Sequence, residues 1–268
     1  MARVVTLTTD FGPDSGYVAE LKGRLLHARA ALTLVDISHA VPAHDVSAAA
    51  WLVAQACPAF PAGTLHVVVV DPGVGTRRRL VWAELGGDDR RQEVLCPDNG
   101  VLTAMLRRLP LRAAREIVVP AGASATFHGR DVLAPAAVRL LEGDVPASLG
   151  EPVARLALLP WAAPEETAAG LRGAVAHVDA FGNLVTNLPA EVLPRIVAAG
   201  GLRVGETLVG TVVRTYGDAP PGTVVALVGS QGLVEAAVVE GRADTRLHAR
   251  RGTPVTVAPA TRRPDAAQ

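Results

Sequence analysis

Leu65-His66-Val67-Val68-Val69-Val70-Asp71-Pro72-Gly73-Val74-Gly75-Thr76-Arg77-Arg78-Arg79 is the stretch from which the fold can be read. Its apolar half, Leu65 to Val70, suits a strand buried on both faces of a sheet, because a strand covered on one face alternates instead. The run ends directly in a carboxylate, a Pro-Gly turn and three arginines. Open α/β sheets bind ligands beyond the carboxyl ends of their strands, so Asp71 is a candidate site residue. An arginine beside it would orient it through paired hydrogen bonds. The glycines let a ligand come close to the backbone. No Gly-Lys-Ser/Thr is present, so this is not a phosphate-binding P-loop. Arg77 and Arg79 read as solvated turn residues.

Strands and helices alternate on either side of this run. Val4–Thr8, Leu32–Ile37 and Leu65–Val70 read as strands, and Leu80–Leu85 with Gln92–Leu95 as a hairpin around Gly86–Arg91. Gly16–Ala30 has helical spacing, with Val18, Leu21, Leu25 and Leu26 on one face. Asp45–Ala56, Val101–Leu109 and Val132–Leu141 are further helices, the first capped by Asp45 or Ser47. The alternation predicts a layered α/β domain with a mainly parallel sheet over residues 1–160. Pro160, Pro164 and an Ala/Glu stretch between Leu156 and Leu171 read as a linker. Beyond it, short apolar runs recur at Gly173–Val178, Leu184–Thr186, Leu208–Val213, Thr223–Val228, Leu233–Val239 and Pro254–Val257. Punctuated by Gly and Pro, they predict a small antiparallel β-barrel or sandwich over residues 171–260, with one short helix at Ala190–Ala199. The polar tail Arg262–Gln268 is expected to fray.

Composition narrows the function classes. The 268 residues carry 26 Lys+Arg and 26 Asp+Glu, and zero net charge argues against binding nucleic acid or acidic membranes by bulk charge. Hydrophobic residues at 49% and charged ones at 19% exclude a disordered chain. Aromatics are only 3%, so the core must be aliphatic. Two cysteines, Cys57 and Cys96, make neither a disulfide framework nor a metal knuckle; they read as buried thiols in a reducing cytosol. No signal peptide and no apolar run of membrane-spanning length are visible.

Three further polar clusters could carry chemistry. Thr8-Thr9-Asp10-Phe11-Gly12 puts an acid at the end of the first strand, where it would accept bonds from ribose hydroxyls or else cap a helix. Thr126-Phe127-His128-Gly129-Arg130-Asp131 places a histidine before a helix, where it could point into a crevice; Asp131 reads as the helix cap. Asp179-Ala180-Phe181-Gly182-Asn183 is either a β-turn or a ligand site, with Phe181 as a stacking face and Asn183 as donor and acceptor. Pro97-Asp98-Asn99-Gly100 reads as a structural turn. His27, His66, His177 and His248 lack metal-ligand spacing.

These clusters, with Ile37-Ser38-His39 to Asp45-Val46 and Phe181-Gly182-Asn183-Leu184-Val185-Thr186-Asn187, occur in an order that resembles the S-adenosyl-L-methionine hydrolases. These are also called hydroxide adenosyltransferases and are relatives of the fluorinase and chlorinase. The resemblance runs from about Val4 to Gly241. It implies an N-terminal α/β domain, a C-terminal β-barrel and a homotrimer with sites between subunits. It also implies hydrolysis of S-adenosyl-L-methionine to adenosine and L-methionine, with no cofactor, in the cytoplasm.

By motif position, the carboxylate, arginine and histidine around the attacking water fall on Asp71, Arg78 and His128, with Arg77 and Arg79 as the alternatives in register. Asp10 falls on the acid that grips the ribose hydroxyls. Asp179, Phe181, Asn183 and Ser230 fall on contacts to methionine and adenine. The alternatives are a halogenase of the same lineage and a non-catalytic nucleoside-binding protein. The fluorinase has tyrosine and serine where this chain has Asp71 and Gly129, and a carboxylate there would repel a halide. The family often has aspartate where this chain has Ser15, which touches the expected methionine amino contact.

Overall fold

The structure is a computed structural model that describes residues 3–160 and 163–259. The tail expected to fray, and Trp161 and Ala162 of the expected linker, lie outside the described residues. The chain divides into two compact units between Leu159 and Pro160.

The first unit is a layered α/β structure. Its strands β1 (Arg3–Thr9), β2 (Leu32–Ser38), β3 (Thr64–Val69), β4 (Leu80–Leu85), β5 (Gln92–Pro97) and β6 (Leu111–Glu116) make one sheet, ordered β2-β1-β3-β5-β4-β6. The four strands from β2 to β5 in that order are parallel, and β4 pairs antiparallel with both β5 and β6. Every residue of β3 is buried, as its unbroken apolar character requires. The helices are α1 (Gly16–Leu25), α2 (Val46–Ala56), α3 (Thr103–Leu106) and α4 (Ala134–Leu141). Val5, Leu7, Val67 and Val69 of the sheet pack against Leu21 and Leu25 of α1 and Ala137, Leu140 and Leu141 of α4.

Several boundaries depart from expectation. Helix α1 stops at Leu25 rather than Ala30, and α3 spans one turn rather than 101–109, with Pro110 unable to prolong it. Asp45, not Ser47, caps α2, accepting from the Ala48 N–H at 2.9 Å. Strand β6 was not foreseen, because Leu-Arg-Ala-Ala-Arg-Glu lacks both β-branched residues and alternation. Pairing with β4 makes it a strand.

The second unit holds β7 (Glu165–Thr167), β8 (Gly170–Val178), β9 (Leu184–Pro189), β10 (Leu202–Val204), β11 (Thr207–Val209), β12 (Thr211–Val212), β13 (Val224–Val228), β14 (Leu233–Val238) and β15 (Pro254–Val257). They form a barrel-like sheet ordered β11-β10-β15-β8-β9-β14-β13-β12, with β7 added to β8. All pairings are antiparallel except β12 with β13. Its core is aliphatic, built on Leu184, Leu188, Ile196, Leu202 and Val255. The segment read as a linker already contains β7 and the start of β8. The run Leu208–Val213 is two strands broken at Gly210, and a second short helix, Ala243–Arg246, joins the expected one at Leu193–Ala198. No helix among the described residues is long and apolar enough to cross a membrane. Cys57 and Cys96 are buried free thiols.

Candidate active site

Strand β3 delivers Asp71 at the carboxyl edge of the sheet, and the following turn brings Arg78 back onto it. Gly75 makes that turn possible: its φ is +76°, and a Cβ there would lie 2.5 Å from the Ala125 carbonyl. Arg78 Nε donates to Asp71 Oδ1 and Oδ2 at 2.8 and 3.0 Å, and Nη2 donates to Oδ2 as well. The pair is withdrawn from solvent, the side chains being 11% and 6% exposed. A forked, charge-assisted grip of this kind fixes the plane of the carboxylate.

The same Nη2 lies 2.8 Å from His128 Nδ1. A guanidinium has no acceptor, so Nδ1 must accept and the ring proton resides on Nε2. Burial first, then the charge of Arg78, holds the His128 pKa below its ordinary value, against the opposing pull of Asp71 and Asp131. The shift favours the neutral ring, in which Nε2 is the nitrogen with a proton to donate. A π-helical turn, Gly129–Leu133, links His128 to α4. Gly129 is packed on β3, and a Cβ there would meet Val69 Cγ1 at 2.9 Å.

Asp10 closes the other side. Its Oδ2 accepts from the His44 N–H at 2.9 Å, which leaves Oδ1 for a ligand. Asp10, Asp71 and His128 line one cleft of about 270 Å³. Its apolar walls include Phe11, Tyr17 and Phe127, whose rings meet edge to face with centroids 5.2–5.8 Å apart. These three, and His44, were not singled out from the sequence. The available signal was scarcity: three of the chain's six Phe and Tyr residues sit in one place.

Other expectations change. Arg79 keeps a side chain 41% exposed but has a partner: its guanidinium pairs with the buried Asp98, with Nε at 3.1 Å, and also donates to the Arg155 carbonyl. Arg77 is exposed, and Arg78 is the arginine that lies on Asp71. Asn99 donates to the Val70 carbonyl at 2.9 Å, so the Pro97–Gly100 turn braces the end of β3. Asp131 does not cap the helix. It accepts from the Ser124 N–H at 3.0 Å and from Arg130 Nε at 2.7 Å, tying down the preceding turn. Ser15 caps α1, accepting from the Tyr17 N–H at 3.2 Å.

In the second unit, Asp179 Oδ1 accepts from the N–H groups of Phe181 and Asn183 at 2.9 and 2.8 Å, and Oδ2 from Asn183 Nδ2 at 2.9 Å. This is a self-supporting turn that leaves Phe181 76% exposed. Ser230 is exposed on the turn between β13 and β14.

An α/β unit with a carboxylate–arginine–histidine cluster at the carboxyl ends of its parallel strands, joined to a β-barrel unit, defines the class. The comparisons specify it. Family models for the SAM hydroxide adenosyltransferase N-terminal and C-terminal domains match residues 5–150 and 173–256. The chain is similar to a (R)-S-adenosyl-L-methionine hydrolase from Thermus thermophilus, 40% identical over 94% of this chain and 98% of the relative. It is more distantly similar to a fluorinase from Actinoplanes, 27% identical over 69% of this chain and 71% of that one. A solved structure of an uncharacterized conserved protein from Thermotoga maritima superimposes with a TM-score of 0.82 at 30% identity, covering 94% of this chain and 99% of that one. The chain belongs to the SAM hydroxide adenosyltransferase family.

Proposed function

We propose that the protein hydrolyses S-adenosyl-L-methionine to adenosine and L-methionine. The observation that carries this reading is the carboxylate of Asp71, gripped by Arg78, in the same cleft as Asp10 and His128. In the proposed reaction a water oxygen attacks C5′ in line with the C5′–S bond. The bonding pair leaves with the sulfonium sulfur, which becomes the neutral thioether of methionine. Asp71 accepts a hydrogen bond from the water and receives or relays its proton. His128, a donor at Nε2, helps hold the oxygen in line. Alignment of this kind is worth roughly 7–11 kcal/mol in favourable cases. The sulfonium is itself the leaving group, so the reaction as proposed calls for no metal or redox cofactor.

Asp10 is assigned to the ribose hydroxyls, its unpaired Oδ1 supporting that role. The proposal includes contacts from Asp179, Phe181, Asn183 and Ser230 to methionine and adenine, and a homotrimer with sites between subunits, both carried over from the family resemblance. A reducing cytoplasm fits the buried thiols Cys57 and Cys96. Water is preferred over halide because a carboxylate occupies position 71 and position 129 offers no hydroxyl. The purified protein should release adenosine from S-adenosyl-L-methionine with or without chloride. In oxygen-labelled water the label should enter the adenosine 5′-hydroxyl. Tight binding without adenosine would leave only a binding protein, and chloride-dependent formation of a 5′-chloro nucleoside would support the halogenase.

A further inference from the structure

The motif around Ile37-Ser38-His39 has no part in the chemistry above, yet it lies directly against the loop that carries Asp10. His39 is 8% exposed. Its Nδ1 lies 2.9 Å from Thr9 Oγ1, and its Nε2 lies 3.1 Å from Asp36 Oδ1. The first contact is a hydrogen bond that joins the ring to the Thr9 hydroxyl; the second is at ion-pair distance without hydrogen-bond alignment. Thr9 Oγ1 in turn accepts from the Phe11 N–H at 3.3 Å. The His39 carbonyl accepts from the Gly12 N–H at 2.8 Å. Lys22 Nζ, 2.6 Å from Asp36 Oδ2, holds the far end.

Thr9 and Gly12 bracket Asp10, so His39 grips the Asp10 loop on both sides, by its ring and by its main chain. The segment after His39 supplies a third hold, the His44 N–H on Asp10 Oδ2. Asp10 Oδ2 is thereby occupied, and the loop is fixed with Oδ1 left to accept from a ligand.

We propose that His39 is a positioning residue: through Thr9 it sets the Asp10 carboxylate for a ribose diol, and so governs recognition of the sugar hydroxyls rather than the displacement at C5′. This rests on the hydrolase reading for the identity of the ligand.

The test compares calorimetric affinities for adenosine and 2′,3′-dideoxyadenosine in the parent, His39→Leu, His39→Asn and Thr9→Val proteins, beside thermal melts. Losing one neutral hydrogen bond should weaken adenosine by up to about tenfold. His39→Leu and Thr9→Val should show that loss for adenosine and none for the dideoxy nucleoside. His39→Asn should recover most of it, because its amide can either accept from or donate to the Thr9 hydroxyl. With S-adenosyl-L-methionine, the first two variants should raise KM and leave kcat nearly unchanged. If His39→Leu does not fold, Thr9→Val carries the test, since it removes one hydroxyl and keeps the volume.

Equal losses for both nucleosides, or no loss in folded variants, would overturn the inference. A parent that shows the diol-specific pattern but releases no adenosine would overturn the hydrolase reading alone. A parent that binds neither nucleoside would overturn both.

Discussion

Asp71 and Arg78 show how one residue can be tied to both chemistry and folding. Arg78 is nearly buried, and its grip on Asp71 compensates its charge. Removing one partner of a buried pair typically costs about 3–5 kcal/mol, because the other is left uncompensated. Asp71→Asn should therefore lower stability by that order in urea unfolding. It should also cut single-turnover adenosine release by about 10²-fold or more, the usual scale for losing a positioned proton acceptor. A variant with full stability loss and normal turnover at low temperature would confine Asp71 to a structural role. The sequence identified Asp71 as a site candidate from one fact, that an apolar strand ends on it. Spacing alone does not separate Arg77, Arg78 and Arg79, since three adjacent arginines differ only in where the turn points them; the family resemblance put the role on Arg78.

At the scale of the element, the π-helical turn before α4 is the part that sequence periodicity could not supply. The spacing predicts a helix from Val132; the structure begins the helical path at Gly129, and the wider turn delivers His128 beside Arg78. Gly129 allows this because it packs on Val69 without a side chain, and β-branched Val69 on a buried strand cannot easily move. Gly129→Ala should cost about 1–3 kcal/mol by overpacking and should lower turnover by displacing His128. Adding Val69→Ala should restore part of the melting temperature. If the double variant melts no higher than Gly129→Ala alone, the clash with Val69 is not the cause.

For the whole molecule, acid stability should be governed by histidine as much as by carboxylates. His66, buried in β3, accepts from the Thr6 hydroxyl at Nδ1 (2.7 Å) and donates from Nε2 to Gln92 Oε1 (2.9 Å). Burial pulls its pKa from 6.5 down to about 4. A depressed histidine stabilises fully above the unfolded value and loses that contribution as pH falls from about 6.5 toward 4. The difference corresponds to the order of 3 kcal/mol. His128 acts in the same direction. Glu235 opposes them, since burial raises its pKa and its protonation in acid relieves that cost. Asp131, lowered to about 2 by Arg130, adds a loss only below about pH 4. Urea unfolding should therefore show a net decline between pH 6.5 and 4, reduced in a His66→Gln variant that still folds. A flat profile across that window would contradict the assignment.

The sequence by itself determined the alternation of strands and helices, the buried central strand, the aliphatic cores and the order of the polar motifs, because periodicity and turn chemistry are local properties of the chain. It did not foresee β6, whose residues favour no strand and which exists because β4 offers it an edge. Local pattern could not place Arg78 on Asp71, seat Arg79 on Asp98, or gather Phe11, Tyr17 and Phe127 into one wall. Those outcomes depend on which distant segments share the carboxyl edge of the sheet. Only the tertiary structure decided them, by bringing the buried carboxylates Asp71 and Asp98 within reach of Arg78 and Arg79 and three distant rings into contact.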